Sequence, residues 1–200
     1  MSSLSQAKTL GGIGSILMLL GFVPAAGMVL VIVGLVLTLV AIKYISDTLA
    51  DKSIFSNMVI AVVLAVAGAA VAFLVVLATF FSSVGLGAFM GGFGPQAAPA
   101  AAAGGILGMI FGVIAGLAVL WVLLILSALF VRKSYSAISA KLGVGMFGTA
   151  ALLYLIGAAL SIVLVGFVLI FVAEILNIVA FFSLPDSLPQ TAQPAQGTQA

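Results

Sequence analysis

Cysteine and histidine are both missing from the 200 residues, and only ten side chains carry charge. Without thiols there are no disulfides and no thiol catalysis, and without imidazole the usual zinc and haem ligands are gone. The shortage of charge excludes more. With 65% of residues hydrophobic and 5% charged, too little polar surface exists to clothe a water-soluble core, while apolar runs of about 20 residues recur. The solvent is lipid, and the chain reads as an all-α integral membrane bundle. The net charge of +2 comes from six scattered Lys and Arg. Nucleic-acid affinity needs a clustered basic face, so no nucleic-acid partner is expected. Membrane lipids are the implied surroundings, and neither a cofactor nor a metal is expected.

What the chain does have is glycine on one face of an apolar helix. Gly104, Gly108, Gly112 and Gly116 recur every fourth residue in an apolar run, 104–131, that ends at Arg132 and Lys133. Small residues on one face let another backbone come close, which is how helices associate in lipid. Ala61, Ala65 and Ala69 form a second small stripe in the preceding run and are the expected mates of the ladder. The same ladder is also able to join two copies of the chain, so a homo-oligomer stays open.

In chain order the spans are expected at about 5–22, 25–45, 56–81, 104–131, 142–157 and 159–182. Ser3 and Gln6 match a capping box at the start. Lys8, the apolar run after it and Pro24-Ala25-Ala26 resemble a signal peptide, but Gly11, Gly12, Gly14 and Gly21 interrupt the run and the next span follows at once. Residues 82–103 are rich in Gly, Ala and Pro without a charge, and read as a connector or re-entrant segment. Arg132, Lys133 and Lys141 sit in a polar corner or amphipathic lead-in. The run 142–182 is twice the length of one span and must fold as a hairpin, with its turn near Gly157 or Gly166. The tail, 184–200, holds Pro185, Pro189 and Pro194 among Gln, Ser and Thr and is expected to be disordered.

An internal similarity shapes the expected architecture. Residues 30–41 read LVIVGLVLTLVA and 162–173 read IVLVGFVLIFVA, identical at 7 of 12 positions. Helices 1–2 and 5–6 then form two similar hairpins around a central antiparallel pair. If the hairpins match, Gly157 takes the place of Gly21 and marks the turn. Six spans would put every Lys and Arg on one side and none on the other, which by the positive-inside rule places both termini in the cytoplasm. The two hairpins are then parallel repeats.

Inside the spans the parts for catalysis are lacking: no paired carboxylates, no HExxH and no Ser beside a plausible base. The glycine cluster at Gly11, Gly12 and Gly14 lacks the strand and the Lys-Ser/Thr of a nucleotide loop. The chain is therefore expected to be non-enzymatic, a scaffold or membrane-organising protein. The alternative is a small-solute or ion transporter or channel using Glu174, the one charge well inside a run, with Thr38, Thr149, Tyr154, Ser161 and Asn177 as the other polar candidates for a hydrated path. Glu174 aligns with Ile42, beside Lys43, so an ion pair with Lys43 is expected, with Asn177 one turn away as a further partner. Protonation of Glu174 and water reaching it are the blander readings.

At its start, Leu4-Ser-Gln-Ala-Lys-Thr-Leu-Gly-Gly-Ile-Gly, and at its end, Ala180-Phe-Phe-Ser-Leu-Pro, the chain resembles a family of archaeal and bacterial membrane proteins known as domain of unknown function 996. The resemblance covers nearly all of residues 4–185. It implies a prokaryotic cell membrane and carries over no activity and no site residues.

Overall fold

A computed structural model of the chain describes residues 3–84, 99–163 and 165–188; of residues 22, 82–84 and 99–106 only the backbone is described. Among the described residues there are six α-helices and no strand: α1 Ser3–Leu19, α2 Gly27–Thr48, α3 Lys52–Val84, α4 Pro99–Leu142, α5 Gly145–Ala159 and α6 Val165–Phe182. Single 3-10 turns at Leu20–Phe22 and Ser161–Val163 follow α1 and α5. Among the described residues four helices are long and apolar enough to cross a membrane: α2, α3 over Lys52–Phe81, α4 over Leu107–Leu142, and α6. The distribution of side chains agrees. Met28, Phe73 and Phe111 are 78%, 65% and 69% exposed, whereas Ser15, Thr38, Ser127, Ser134 and Asn177 are buried. Water selects the reverse arrangement, and lipid tolerates this one.

Three boundaries differ from expectation. The polar corner at Arg132, Lys133 and Lys141 is no corner, because α4 continues through it to Leu142 and runs 44 residues, about 66 Å. Ser134, Tyr135, Ser139 and their neighbours contain no Gly or Pro, so nothing stops the helix until Gly143, whose φ of +70° ends it. Of the connector, residues 85–98 lie outside the described residues, and the part from Pro99 already belongs to α4. The tail begins inside the fold rather than outside it: Leu184 is buried, Leu188 packs against the core, and Asp186 pairs with Lys8 at 3.6 Å. Residues 189–200 lie outside the described residues.

The chain divides into two compact units, Met1–Val62 with Ser127–Ala200, and Val63–Leu126. In the first unit the core is made of helix ends. It takes Leu4 and Ala7 from the start of α1, Ile42 and Ile45 from the end of α2, and Ile54 from the start of α3. Ile138 and Leu142 come from the end of α4, Phe147 from the start of α5, and Ala180 and Phe181 from the end of α6. Starts and ends alternate along the chain, so consecutive helices meet this core running in opposite directions. Tyr135, Phe147 and Phe181 stack edge to face, with centroids 5.3 and 5.1 Å apart. Gly11 leaves the space that the Phe181 ring fills.

Glycine sets how closely the hairpins of this unit cross. A Cβ on Gly34 would meet the carbonyl oxygen of Gly14 at 2.5 Å, and one on Gly14 would meet that of Gly34 at 2.8 Å. In the second hairpin Gly157 and Gly166 stand in the same relation, so the turn falls between them and both glycines are needed for it. Gly157 therefore occupies the place of Gly14, not of Gly21. α2 begins seven residues before Gly34 but α6 begins one residue before Gly166, so the second hairpin is shorter beyond its crossing. Small polar groups fasten α3 to α4. Ser127 donates to the Ala61 carbonyl and Ser134 to the Ile54 carbonyl, each at 2.8 Å.

In the second unit the expected register fails. Gly112 lies against Thr79, and Gly116 against the Ala72 carbonyl, 3.2 Å from where its Cβ would be. Of the expected mates, Ala61 belongs to the first unit, Ala65 is half-buried and Ala69 is exposed. Gly108 is exposed, and Gly104 lies where only the backbone is described. Stripe spacing identifies a face but leaves sliding along it free. The side-chain volume met at each crossing fixes the register, as Gly68 against Leu123 at 3.0 Å illustrates.

At the polar turn between α2 and α3, Asp51 Oδ1 accepts from the Ser53 amide at 3.0 Å and its Oδ2 accepts from Lys141 Nζ at 2.7 Å. The Lys141 bond, then that of the Ser53 hydroxyl, hold the Asp51 carboxyl down at about 2. Folding lowers this value below the unfolded one near 4, so the stabilisation is full above about pH 4 and disappears as pH falls through about 2. Thermal unfolding in detergent should show Asp51→Asn less stable than the parent at neutral pH by under about 1 kcal/mol, since the pair is solvent-screened, with the gap closing in that acid window. For the second unit, paired cysteines replacing Gly112 and Thr79 should cross-link within one chain. The pair replacing Gly112 and Ala65 should not, and the reverse outcome would reject the register.

Candidate buried polar site

On α6, Glu174 and Asn177 are one turn apart and so share a face. Asn177 is 5% exposed. Its Nδ2 donates to Ser15 Oγ on α1 at 3.1 Å and is within hydrogen-bonding reach of the Glu174 carboxylate. α1 comes this near because Gly11, four residues before Ser15, admits the Phe181 ring from α6. Tyr135 of α4, 5% exposed, and Tyr154 of α5 are within electrostatic range of the carboxylate, and Tyr135 also reaches Asn177. Two acceptor oxygens in this cluster, Glu174 Oε2 and Asn177 Oδ1, are buried with no hydrogen-bond partner among the described residues. Such orphans are rare in folded proteins because each forfeits its solvation.

The structure thus brings Glu174 and Asn177 together and leaves Lys43 out. Lys43 is exposed, while its neighbour Ile42 is fully buried. Adjacent helix positions are about 100° apart, so equal depth in two parallel hairpins does not put residues on facing sides. Ser15 and Tyr135 are the members that sequence reasoning missed, while Tyr154 stood among the polar candidates inside the spans. Ser15 was discoverable, since it stands four residues from Gly11 on the face that α6 needs. Tyr135 was hidden because it falls where a corner was expected. Thr149 and Ser161 stay out of the site, donating to Gly145 and Ala158 carbonyls of their own helix, and Thr38 faces Met18.

The hairpin similarity gives the cluster its contrast. Continued past residue 173, it matches Glu174 to Ile42 and Asn177 to Ile45. Both isoleucines are fully buried core residues. One hairpin fills these positions with hydrocarbon, and the other fills them with a carboxylate and an amide. Among the described residues no group of three or more His, Cys, Asp or Glu gathers to hold a metal ion.

A family model described as "Protein of unknown function (DUF996)" matches residues 30–175, well over half of the chain. The chain belongs to this family. The region of the DUF996 match contains Glu174. A protein of Methanocaldococcus jannaschii, described as uncharacterized, is 39% identical over 185 residues, which are 92% of this chain and 95% of that protein. No solved structure matches.

Double-mutant cycles on this DUF996 protein should separate contact from mere proximity. Ser15→Ala with Asn177→Leu should show a coupling energy of about 0.5–1.5 kcal/mol in unfolding measured in detergent, the range of hydrogen bonds between membrane helices. Glu174→Gln with Lys43→Met should be additive. A clear coupling in the second cycle would reinstate the ion pair.

Proposed function

We propose that this DUF996 protein spans the cell membrane six times with both termini in the cytoplasm, and that it is a non-enzymatic scaffold or membrane-organising protein. The observation that carries the topology is the core of helix ends in the first unit. Lys8, Lys43, Lys52, Arg132, Lys133 and Lys141 all belong to this unit, at or near those ends, while Val63–Leu126 contains no charged residue. Basic residues gathered at alternating starts and ends are the pattern that the positive-inside rule reads as a cytoplasmic face. α1 and α5 are short, yet with the 3-10 turns that follow them they cover 3–22 and 145–163, each about 30 Å of rise.

The non-catalytic reading is supported by how the buried hydroxyls and amide are used. Ser127, Ser134 and Asn177 all donate across helix pairs, fastening one helix to another. Lipid is the partner of the exposed Val, Ile and Phe faces. A second reading, a small-solute or ion transporter, is favoured by one observation, the two orphaned oxygens at Glu174 and Asn177.

The absence of native cysteine makes the topology directly testable. In intact cells a membrane-impermeant maleimide should label Ala25→Cys, and should label Lys52→Cys and Lys141→Cys only after the membrane is opened. External labelling at position 52 or 141 would refute the orientation. Loss of a proton-dependent flux in liposomes on Glu174→Gln, with the fold intact, would replace the scaffold reading by the transporter.

A further inference from the structure

We infer that the Glu174–Asn177 cluster is a binding site for a single proton, carried by the Glu174 carboxyl. The inference rests on the chain being embedded in lipid, and does not require that it move a solute. Its basis is a mismatch between donors and acceptors. Glu174 Oε2 and Asn177 Oδ1 are acceptors, both buried and both without a donor. Of the two N–H groups of Asn177 Nδ2 one serves Ser15 Oγ and the other is in reach of the Glu174 carboxylate, which still leaves Oε2 and the amide's own Oδ1 without a donor. A proton on Glu174 turns an acceptor-only carboxylate into a group with its own O–H, so one orphan becomes a donor.

Among the described residues no other cation is buried in these surroundings, and Lys52, Arg132 and Lys133 are exposed. From α1 the site receives Ser15, while Lys8 of that helix pairs with Asp186. From α4 and α5 it receives Tyr135 and Tyr154, which are neutral hydroxyls. Lys43 is exposed on α2, and Lys141 is bound to Asp51. An alkali ion would need a fuller shell of oxygens than two orphans, and the Ser15 oxygen already accepts the amide bond. A proton asks for no such shell, only for the carboxylate oxygen that carries it. The sister hairpin, with Ile42 and Ile45 in the matching positions, shows that the fold itself has no need of acceptors there.

A hydrophobic carbodiimide tests this, because it adds to protonated carboxyls in apolar surroundings. The full-length protein in liposomes, treated with dicyclohexylcarbodiimide over a pH series and read by peptide mass spectrometry, should be modified at Glu174 in strong preference to Asp47, Asp51 and Asp186. Labelling should fall at least tenfold as pH rises, be unchanged by sodium or lithium at fixed pH and ionic strength, and vanish in Glu174→Gln. Asn177→Leu should move the midpoint of the pH profile. Protection by sodium or lithium at fixed pH would overturn the proton in favour of an alkali-ion site, and absence of a Glu174 adduct at every pH would overturn both. A control on the same sample, the protonated-carboxyl C=O band in parent-minus-Glu174→Gln infrared spectra, keeps the test decisive if Asn177→Leu fails to fold. Its absence at low pH would also reject the inference. Failure of the membrane reading is separate, since the maleimide labelling reports it independently.

Discussion

Backbone-to-backbone contact at glycine is the constraint on which the first unit depends. Gly14 against Gly34 and Gly157 against Gly166 bring two pairs of helices closer than any side chain would allow, and Gly11 admits the ring of Phe181. In lipid, hydrocarbon gains nothing by leaving its solvent, so association must come from dispersion over closely fitted surfaces and from hydrogen bonds between helices. Both are present here. The aromatic stack of Tyr135, Phe147 and Phe181 gathers three helices, at the end of α5 and α6 opposite to the Gly157–Gly166 crossing.

That dependence explains what the sequence could and could not reveal. Run length and glycine spacing identify helices well, because a helix in an apolar solvent needs only enough apolar residues and a reason to stop. α6 nevertheless begins only at Val165, six residues past the expected start, and α4 runs on through Arg132 and Lys133 for want of any stop signal before Gly143. Register is a different quantity. Gly112 meets Thr79 and not Ala65 because the fit of neighbouring volumes decides, and such fits leave no periodic trace. Even the repeat misled in one respect: its glycines correspond by the crossing they make, not by their distance from the turn.

The polar cluster was half visible. Glu174 and Asn177 announce themselves by being polar in an apolar run, and one helical turn suffices to join them. Their partners come from three other helices, so only the fold brings Ser15, Tyr135 and Tyr154 to them. Lys43 illustrates the opposite error, a residue at the matching depth that points elsewhere. Comparing the hairpins shows how small the difference is between a structural position and a chemical one, since Ile42 and Ile45 occupy the same places without needing a donor.

The shortness of the second hairpin beyond its glycine crossing has a mechanical consequence. Set against α2, α6 forgoes six residues at that end, about 9 Å of helix. On the proposed topology a bilayer beside α6, about 27 Å of helix, would thin slightly or draw its headgroups inward there, because hydrophobic mismatch costs a fraction of a kcal/mol per Å. On that topology Glu174, nine residues from one end of α6 and eight from the other, would lie beneath the thinned patch.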